Sequence, residues 1–99
     1  MTKEIMTYVD QIISENKVVV FSKSYCPYCD RTKELFQNSQ INFTVLELDV
    51  IGNKIQEYLF QKTGQRTVPN IFINQEHIGG NSDLEALKNT GELARYLNK

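Results

Sequence analysis

Residues 17–29 read Lys-Val-Val-Val-Phe-Ser-Lys-Ser-Tyr-Cys-Pro-Tyr-Cys, and they set the architecture of the whole chain. The valine-rich run from Lys17 to Phe21 predicts a strand that is buried on both of its faces. Pro27 follows where a helix can begin, because proline is well accepted at the first helical position. The segment therefore predicts a buried strand that leads, through the first cysteine, into a helix.

Helical and extended patterns alternate along the rest of the chain. Apolar residues recur with helical spacing in residues 4–15 and 53–63, after Pro27, after Ser82 and near Leu93. The helix after Ser82 is also indicated by the capping-box spacing of Ser82 and Glu85. Extended runs occupy residues 43–48, 70–74 and 77–78, and the last two have the spacing of a hairpin.

The order of these elements predicts an α/β fold. The first two strands are joined through a helix, so we expect them to be parallel with a right-handed crossover, while the last two are antiparallel. The expected architecture is one domain over residues 1–99, in which a four-stranded mixed sheet is flanked by helices on both faces.

Composition narrows the class of protein. A chain of 99 residues supports one core, and 40% hydrophobic with 23% charged residues is typical of a soluble globular domain. The net charge of -1 without a basic stripe argues against nucleic acid as a partner, and no apolar run is long enough to cross a membrane. The early Glu4 and the lack of a long apolar N-terminal stretch favour a cytoplasmic location, with a monomer as the default state.

The two cysteines, Cys26 and Cys29, lie three positions apart. A structural disulfide gains little by closing so short a loop. A zinc site needs about four ligands, and His77 is the chain's one histidine, so no metal is expected. The favoured interpretation is a redox pair, and the alternative is two incidental thiols.

The predicted helix makes the two sulfurs unequal. Cys26 stands at the helix start, where unpaired N–H groups and the helix dipole favour a thiolate, the reactive form of cysteine. Lys23 can add positive charge, and Arg31 and Lys33 contribute more weakly from solvent. Cys29 lies one turn later, so Cys26 is the candidate nucleophile and Cys29 the candidate resolving thiol.

Three separated segments resemble the glutaredoxin family of the thioredoxin-like fold: residues 23–29, residues 64–69 (Gly-Gln-Arg-Thr-Val-Pro) and residues 79–83 (Gly-Gly-Asn-Ser-Asp). They occur in the order and spacing of that family, and the resemblance covers essentially the whole chain. The Cys-Pro-Tyr-Cys form is that of dithiol glutaredoxins. Thioredoxins usually have Trp-Cys-Gly-Pro-Cys, and this chain contains no Trp.

The resemblance implies glutathione as the reducing co-substrate, and glutathionylated proteins and protein disulfides as substrates. It also implies a cis peptide bond before Pro69 that presents the backbone of Val68 to an extended glutathione, with Thr67 beside it. The alternative for Pro69 is a trans proline that opens a strand. Tyr28 would line the groove beside the sulfur.

The ends of glutathione carry two carboxylates and an amine, and the resemblance assigns residues to both. Lys23 and Gln56, with help from Arg66, would hold the glycine carboxylate, although solvated side chains are the simpler alternative for all three. The γ-glutamyl end would bind at Asn81, Ser82 and Asp83, where Ser82 opens a predicted helix. Simple helix capping is the alternative for the last two.

Rival functions remain at this point. One is a thioredoxin-like enzyme reduced by a flavoprotein, and another is a dimer that bridges a [2Fe–2S] cluster, as some family members do. A third is an inert scaffold domain. His77 is predicted to be structural, and Tyr8, Tyr58 and Tyr96 are predicted to face the core.

Overall fold

The structure, a computed structural model that describes residues 2–99, contains one four-stranded sheet in the order β2-β1-β3-β4. Strand β1 pairs in parallel with β2 and antiparallel with β3, and β3 pairs antiparallel with β4. The predicted mixed sheet is therefore confirmed. The strands are β1 (Val18–Ser22), β2 (Thr44–Glu47), β3 (Asn70–Ile73) and β4 (Glu76–Gly79).

Helices cover both faces of the sheet, as predicted. Over residues 2–99, none of them is both long and apolar enough to cross a lipid bilayer. The helices are α1 (Lys3–Glu15), α2 (Pro27–Asn38), α3 (Leu48–Ile51), α4 (Asn53–Thr63), α5 (Asn81–Thr90) and α6 (Leu93–Leu97).

Strand β1 is fully buried and divides the core into two halves. Its side chains alternate between the faces of the sheet, so Val19 and Phe21 pack against α1 and α4. Val18 and Val20 face the opposite way, toward Phe36 of α2 and residues of α5 and α6. Burial on both faces explains why β1 is a continuous apolar run and not an alternating one.

The prediction missed one short helix and misplaced the start of another, and most strand ends differ from it by one residue. Strand β2 ends at Glu47, and Leu48 already begins the short helix α3, which lacks enough residues to show helical periodicity. Helix α5 begins at Asn81, so the expected start after Ser82 was wrong. The reason is that the Asp83 carboxylate accepts a hydrogen bond from the Gly80 N–H at 2.9 Å, which makes Gly80 the N-cap residue.

The predictions for single aromatic residues had mixed outcomes. Tyr8 is 47% exposed, so its assignment to the core was wrong, whereas Tyr58 and Tyr96 pack against the two core clusters. The Tyr58 hydroxyl donates to Asp10 at 2.8 Å and ties α4 to α1. The Nε2 atom of His77 lies 2.8 Å from Asn70 Oδ1, within the hairpin, which fits its predicted structural role.

A buried polar contact joins helix α2 to the start of α5. The Thr32 hydroxyl donates to Asn81 Oδ1 at 2.9 Å, and both residues are buried. The Asn81 side-chain amide in turn donates to Glu85 Oε1 at 3.1 Å. The Asn81 side chain is thus satisfied on both sides, and it fixes the first turn of α5 against α2.

Replacing Thr32 by Val should destabilise the protein, because the substitution leaves Asn81 Oδ1 buried without its donor. The expected loss is about 1–3 kcal/mol in the free energy of unfolding. Urea unfolding followed by circular dichroism measures it. Thr7→Val, the same change at an exposed position of α1, is the control and should change stability by about 0.5 kcal/mol or less. Equal stability of the two variants would contradict the role of this contact.

Candidate active site

Cys26 is the N-cap residue of α2, directly after the loop that leaves β1. Its Sγ accepts a hydrogen bond from the backbone N–H of Cys29 at 3.1 Å, and Pro27 occupies the first turn of the helix. Sulfur therefore takes the place of the usual oxygen that caps a helix, at the end where the dipole favours negative charge. The predicted position of Cys26 at the helix start is confirmed.

Cys29 lies beneath Cys26 and is fully buried, whereas Cys26 is partly exposed. Burial raises the pKa of the Cys29 thiol to about 11, and the hydrogen bond and charge of Cys26 act in the same direction. Hydrogen bonds from the Ser22 side chain and the Lys23 backbone offset part of this rise in pKa. Cys29 is thus the more deeply covered of the two cysteines, as predicted, whereas the roles of nucleophile and resolving thiol stay a prediction.

The loop before Cys26 is held by helix α3. Asp49 Oδ1 accepts a hydrogen bond from the Ser24 N–H at 3.0 Å. This backbone bond holds the pKa of the Asp49 carboxyl below its usual value, and the positive charge of Lys23 contributes to the same effect. Lys23 is thus electrostatically coupled to Asp49, and its predicted approach to the Cys26 sulfur stays a prediction.

A groove of about 470 Å³ is lined on one side by Tyr28, which lies between the two cysteines in sequence. Its walls come from the start of α2, the loop between α4 and β3, and the first turn of α5. Seven residues predicted to bind glutathione line it together with two others; the full set is Tyr28, Gln65, Thr67, Val68, Pro69, Gly80, Asn81, Ser82 and Asp83. The fold brings three segments that are remote in sequence to one surface.

The backbone of Val68 connects this groove to the nucleophile. The Val68–Pro69 peptide bond is cis, as the resemblance implied. The Cys26 Sγ lies 3.8 Å from the carbonyl oxygen of Val68, within the range of a weak S–H···O contact. A ligand that pairs with the Val68 backbone would therefore lie next to the Cys26 sulfur.

The residues predicted to hold the glycine carboxylate are not among those that line this groove. The Gln56 side-chain amide donates to the Arg66 carbonyl at 2.7 Å, which uses that amide to hold the loop. Arg66 forms an ion pair with Glu57 at 3.6 Å and lies over the Phe60 ring, 4.1 Å from its centroid. A direct role of Gln56, Arg66 or Lys23 in binding stays a prediction.

The three residues predicted to bind the γ-glutamyl end of glutathione, Asn81, Ser82 and Asp83, differ in their surroundings. The Asn81 side chain is buried and already hydrogen-bonded to Thr32 and Glu85. Ser82 and Asp83 are exposed at the first turn of α5. A side chain at Gly79 would collide with the Asp83 carboxylate, because a Cβ there would lie 2.3 Å from Oδ2. Glycine at this position leaves space for Asp83 beside the groove.

Sequence reasoning missed Gln65, which also lines the groove. The Nε2 atom donates to the Thr67 carbonyl at 3.1 Å and to the Pro69 carbonyl at 2.9 Å. Gln65 was inside the segment that carries the family resemblance, yet no periodic pattern reports a side chain that bonds its own loop. The one signal in the sequence was the closeness of Gln65 to Thr67 and Pro69, two residues already predicted to bind glutathione.

Metal binding was not expected from the sequence. Among the residues that the structure describes, no group of three or more His, Cys, Asp or Glu side chains could hold a metal ion. A cluster shared between two chains would draw on fewer ligands from each, so the [2Fe–2S]-bridged dimer stays an untested alternative. Visible absorbance after anaerobic purification distinguishes it.

Comparisons with known proteins agree with this geometry. The family model described as Glutaredoxin matches residues 18–78. Glutaredoxin-C6 of Oryza sativa subsp. japonica is 48% identical over 89 residues, covering 88% of this chain and 80% of the rice protein. Glutaredoxin-2 of Schizosaccharomyces pombe is 43% identical over 99 residues, and the match covers 98% of this chain and 90% of the yeast protein. A crystal structure of a buckwheat glutaredoxin–glutathione complex has a TM-score of 0.92 at 40% identity, covering 99% of this chain and 94% of that one.

The two thiols should differ in their reaction with iodoacetamide. A thiol whose pKa is raised keeps its proton to higher pH, so Cys29, at about 11, stays unreactive while Cys26 is alkylated. Peptide mass spectrometry of the reduced protein from about pH 7 to pH 9 should show label on Cys26 alone. The control is the same reaction in guanidinium chloride, where both cysteines are labelled. Equal labelling in the folded protein would contradict the assignment.

Proposed function

This chain belongs to the glutaredoxin family, and on that premise we propose which residues carry out its reaction. Glutaredoxins are glutathione-dependent thiol–disulfide oxidoreductases, and this is the activity of the chain. The observation that carries the residue assignment is the position of Cys26. The residue is partly exposed, and its sulfur caps α2 through the Cys29 N–H and lies next to the Val68 backbone.

The first step is attack of the Cys26 thiolate on the glutathione sulfur of a glutathionylated protein. A new disulfide forms between Cys26 and glutathione, and the substrate's own disulfide breaks. The substrate sulfur leaves as a thiolate and takes a proton from water. The backbone N–H of Cys29 donates to the Cys26 sulfur at the start of α2, the end of the helix at which the dipole is positive.

The second step returns the enzyme to its reduced form. The thiolate of a second glutathione attacks the glutathione sulfur held on Cys26, which releases glutathione disulfide and the Cys26 thiolate. With a protein disulfide as substrate, the Cys26 thiolate first opens that disulfide and forms a mixed disulfide with one of its sulfurs. The Cys29 thiolate then attacks the Cys26 sulfur, the protein thiolate leaves, and two glutathione molecules reduce the resulting Cys26–Cys29 bridge to give glutathione disulfide. The raised pKa of Cys29 limits this second route, because the buried thiol must first lose its proton.

Glutathione is proposed to lie extended in this groove, with its sulfur directed toward Cys26, whose Sγ contacts the Val68 carbonyl. The Val68 backbone pairs with its cysteine residue in the manner of an added strand, flanked by Tyr28, Thr67 and Pro69. The first turn of α5 receives the γ-glutamyl end, through N–H groups of Asn81 and Ser82 and through the Asp83 carboxylate, which pairs with the amine. That these residues share one groove supports the assignment, as does the glutathione complex of the buckwheat relative.

The glycine carboxylate is assigned to Lys23 and Gln56 on the family pattern. Gln56 would have to leave the Arg66 carbonyl, or bind the ligand while it keeps that bond. Glutathione serves as the reducing co-substrate, and no resident metal is part of the proposal. A monomer in the cytoplasm is the proposed form, and a cytosolic glutathione pool is reducing enough to reduce glutaredoxins, whose potentials are about −200 to −230 mV.

Serine substitutions of the two cysteines test the proposed roles. Cys26→Ser should abolish the glutathione-coupled reduction of a glutathionylated peptide, because no other exposed thiol can take its place. Cys29→Ser should keep much of that activity and should lose the reduction of protein disulfides. The coupled assay follows NADPH oxidation through glutathione reductase.

Two results in these assays would contradict the proposal. Full activity in Cys26→Ser would contradict the nucleophile assignment. Turnover of the wild-type protein with thioredoxin reductase but not with glutathione would instead favour the thioredoxin-like rival.

Asp83→Asn tests the γ-glutamyl contact. The asparagine oxygen can still accept from the Gly80 N–H, so the cap of α5 is kept while the charge that pairs with the amine is lost. The KM for a glutathionylated peptide should rise roughly tenfold, with a smaller change in kcat, because charged hydrogen bonds are worth about 1.5–3 kcal/mol. The control is Glu4→Gln, which also removes one negative charge but at an exposed position of α1 outside the groove, and it should leave KM unchanged. An unchanged KM in Asp83→Asn would remove Asp83 from the binding site.

A further inference from the structure

In the loop between α4 and β3, glutamine side chains bond the carbonyls of Arg66, Thr67 and Pro69, whereas the Val68 carbonyl contacts the active site. Gln56 donates to the Arg66 carbonyl at 2.7 Å. The single side-chain nitrogen of Gln65 donates to both the Thr67 and the Pro69 carbonyl, at 3.1 and 2.9 Å. The carbonyl between those two, that of Val68, points instead to the Cys26 sulfur at 3.8 Å. The loop thus offers one backbone position to the active site.

We propose that Gln65 is a positioning residue for glutathione, which acts by holding the carbonyls of Thr67 and Pro69 so that the Val68 backbone is presented beside Cys26. An amide nitrogen has two hydrogens, and two acceptors use both of them. The carbonyls on either side of Val68 are therefore fixed by one group. This inference rests on the proposed function, because it concerns how the same groove captures glutathione.

The backbone of Gln65 is itself anchored to α4. Its N–H donates to the Thr63 hydroxyl oxygen at 3.0 Å, and that hydroxyl donates to the Leu59 carbonyl at 2.7 Å. Leu59 is buried in the core, and Gly64 ends the helix with a left-handed conformation, φ 78°. A continuous set of hydrogen bonds therefore runs from the core helix to the backbone on both sides of Val68.

The position of Gln65 separates its role from that of the nucleophile. Its side-chain hydrogen bonds end on the loop carbonyls and do not include the Cys26 sulfur, which bonds with the Cys29 N–H and contacts the Val68 carbonyl. Loss of the Gln65 amide should therefore weaken the capture of disulfides that contain glutathione. The reaction of Cys26 with a small disulfide that cannot pair with Val68 should stay the same.

The test compares Gln65→Met with Gln61→Met. Methionine has a similar length and no hydrogen-bond donor, and Gln61 is exposed on α4, so the control makes the same chemical change outside the groove. Stopped-flow experiments measure the second-order rate constants of the reduced protein with glutathione disulfide and with bis(2-hydroxyethyl) disulfide, each alone. Gln65→Met should lose roughly tenfold with glutathione disulfide and less than about twofold with the small disulfide. Gln61→Met should match the wild type with both.

Gln65→Glu is a second variant with the same shape, in which a carboxylate faces two carbonyls and should give at least the same selective loss. Thermal unfolding of each variant shows that it is folded at the assay temperature. An equal fall with both disulfides, or no fall with either, overturns the positioning role. If the wild type itself shows no preference for glutathione disulfide, the proposed function fails together with this inference, whereas a wild-type preference that Gln65→Met keeps overturns only the inference.

Discussion

The hydrogen bond from the Cys29 N–H to the Cys26 sulfur is the interaction on which the rest of the site depends. It exists because a cysteine stands where a helix normally takes a serine, threonine or aspartate cap. The same geometry gives Cys26 a backbone donor and places Cys29 in the first turn of α2, beneath the surface. One local choice of residue thus produces an exposed nucleophile and a buried partner.

That arrangement needs a rigid support, and the sheet supplies it. Strand β1 is buried on both faces and delivers the chain to Cys26 at a fixed point. Asp49 holds the loop from one side, and the contact of Thr32 with Asn81 holds α5 from the other. The groove is therefore assembled from segments that hydrogen bonds hold in place, one of them between buried side chains, which favours a binding surface that exists before the ligand arrives.

Much of this could be predicted from the sequence, and the failures have physical causes. The strand before Cys26 and the mixed sheet follow from apolar runs and connection rules, so they were predicted correctly. Helix α3 is too short to show a period, and the start of α5 was misplaced because the carboxylate of Asp83 reaches back to Gly80. Tyr8 fits a helical core position by spacing but lies at the edge of the apolar face of α1 and is exposed. Gln65 was missed because its bonds stay within one loop, where neither periodicity nor charge reveals them.

The two edges of the sheet, β2 and β4, are each four residues long. Unpaired strand edges are templates on which other polypeptides can add, and very short edges limit such pairing. The Val68 segment precedes β3 and offers its backbone over little more than one residue. A tripeptide can use so short a template, while a long extended chain gains little from it. The short edge strands therefore limit aggregation by strand addition. The single backbone position at Val68 is long enough for glutathione and too short for a longer extended chain.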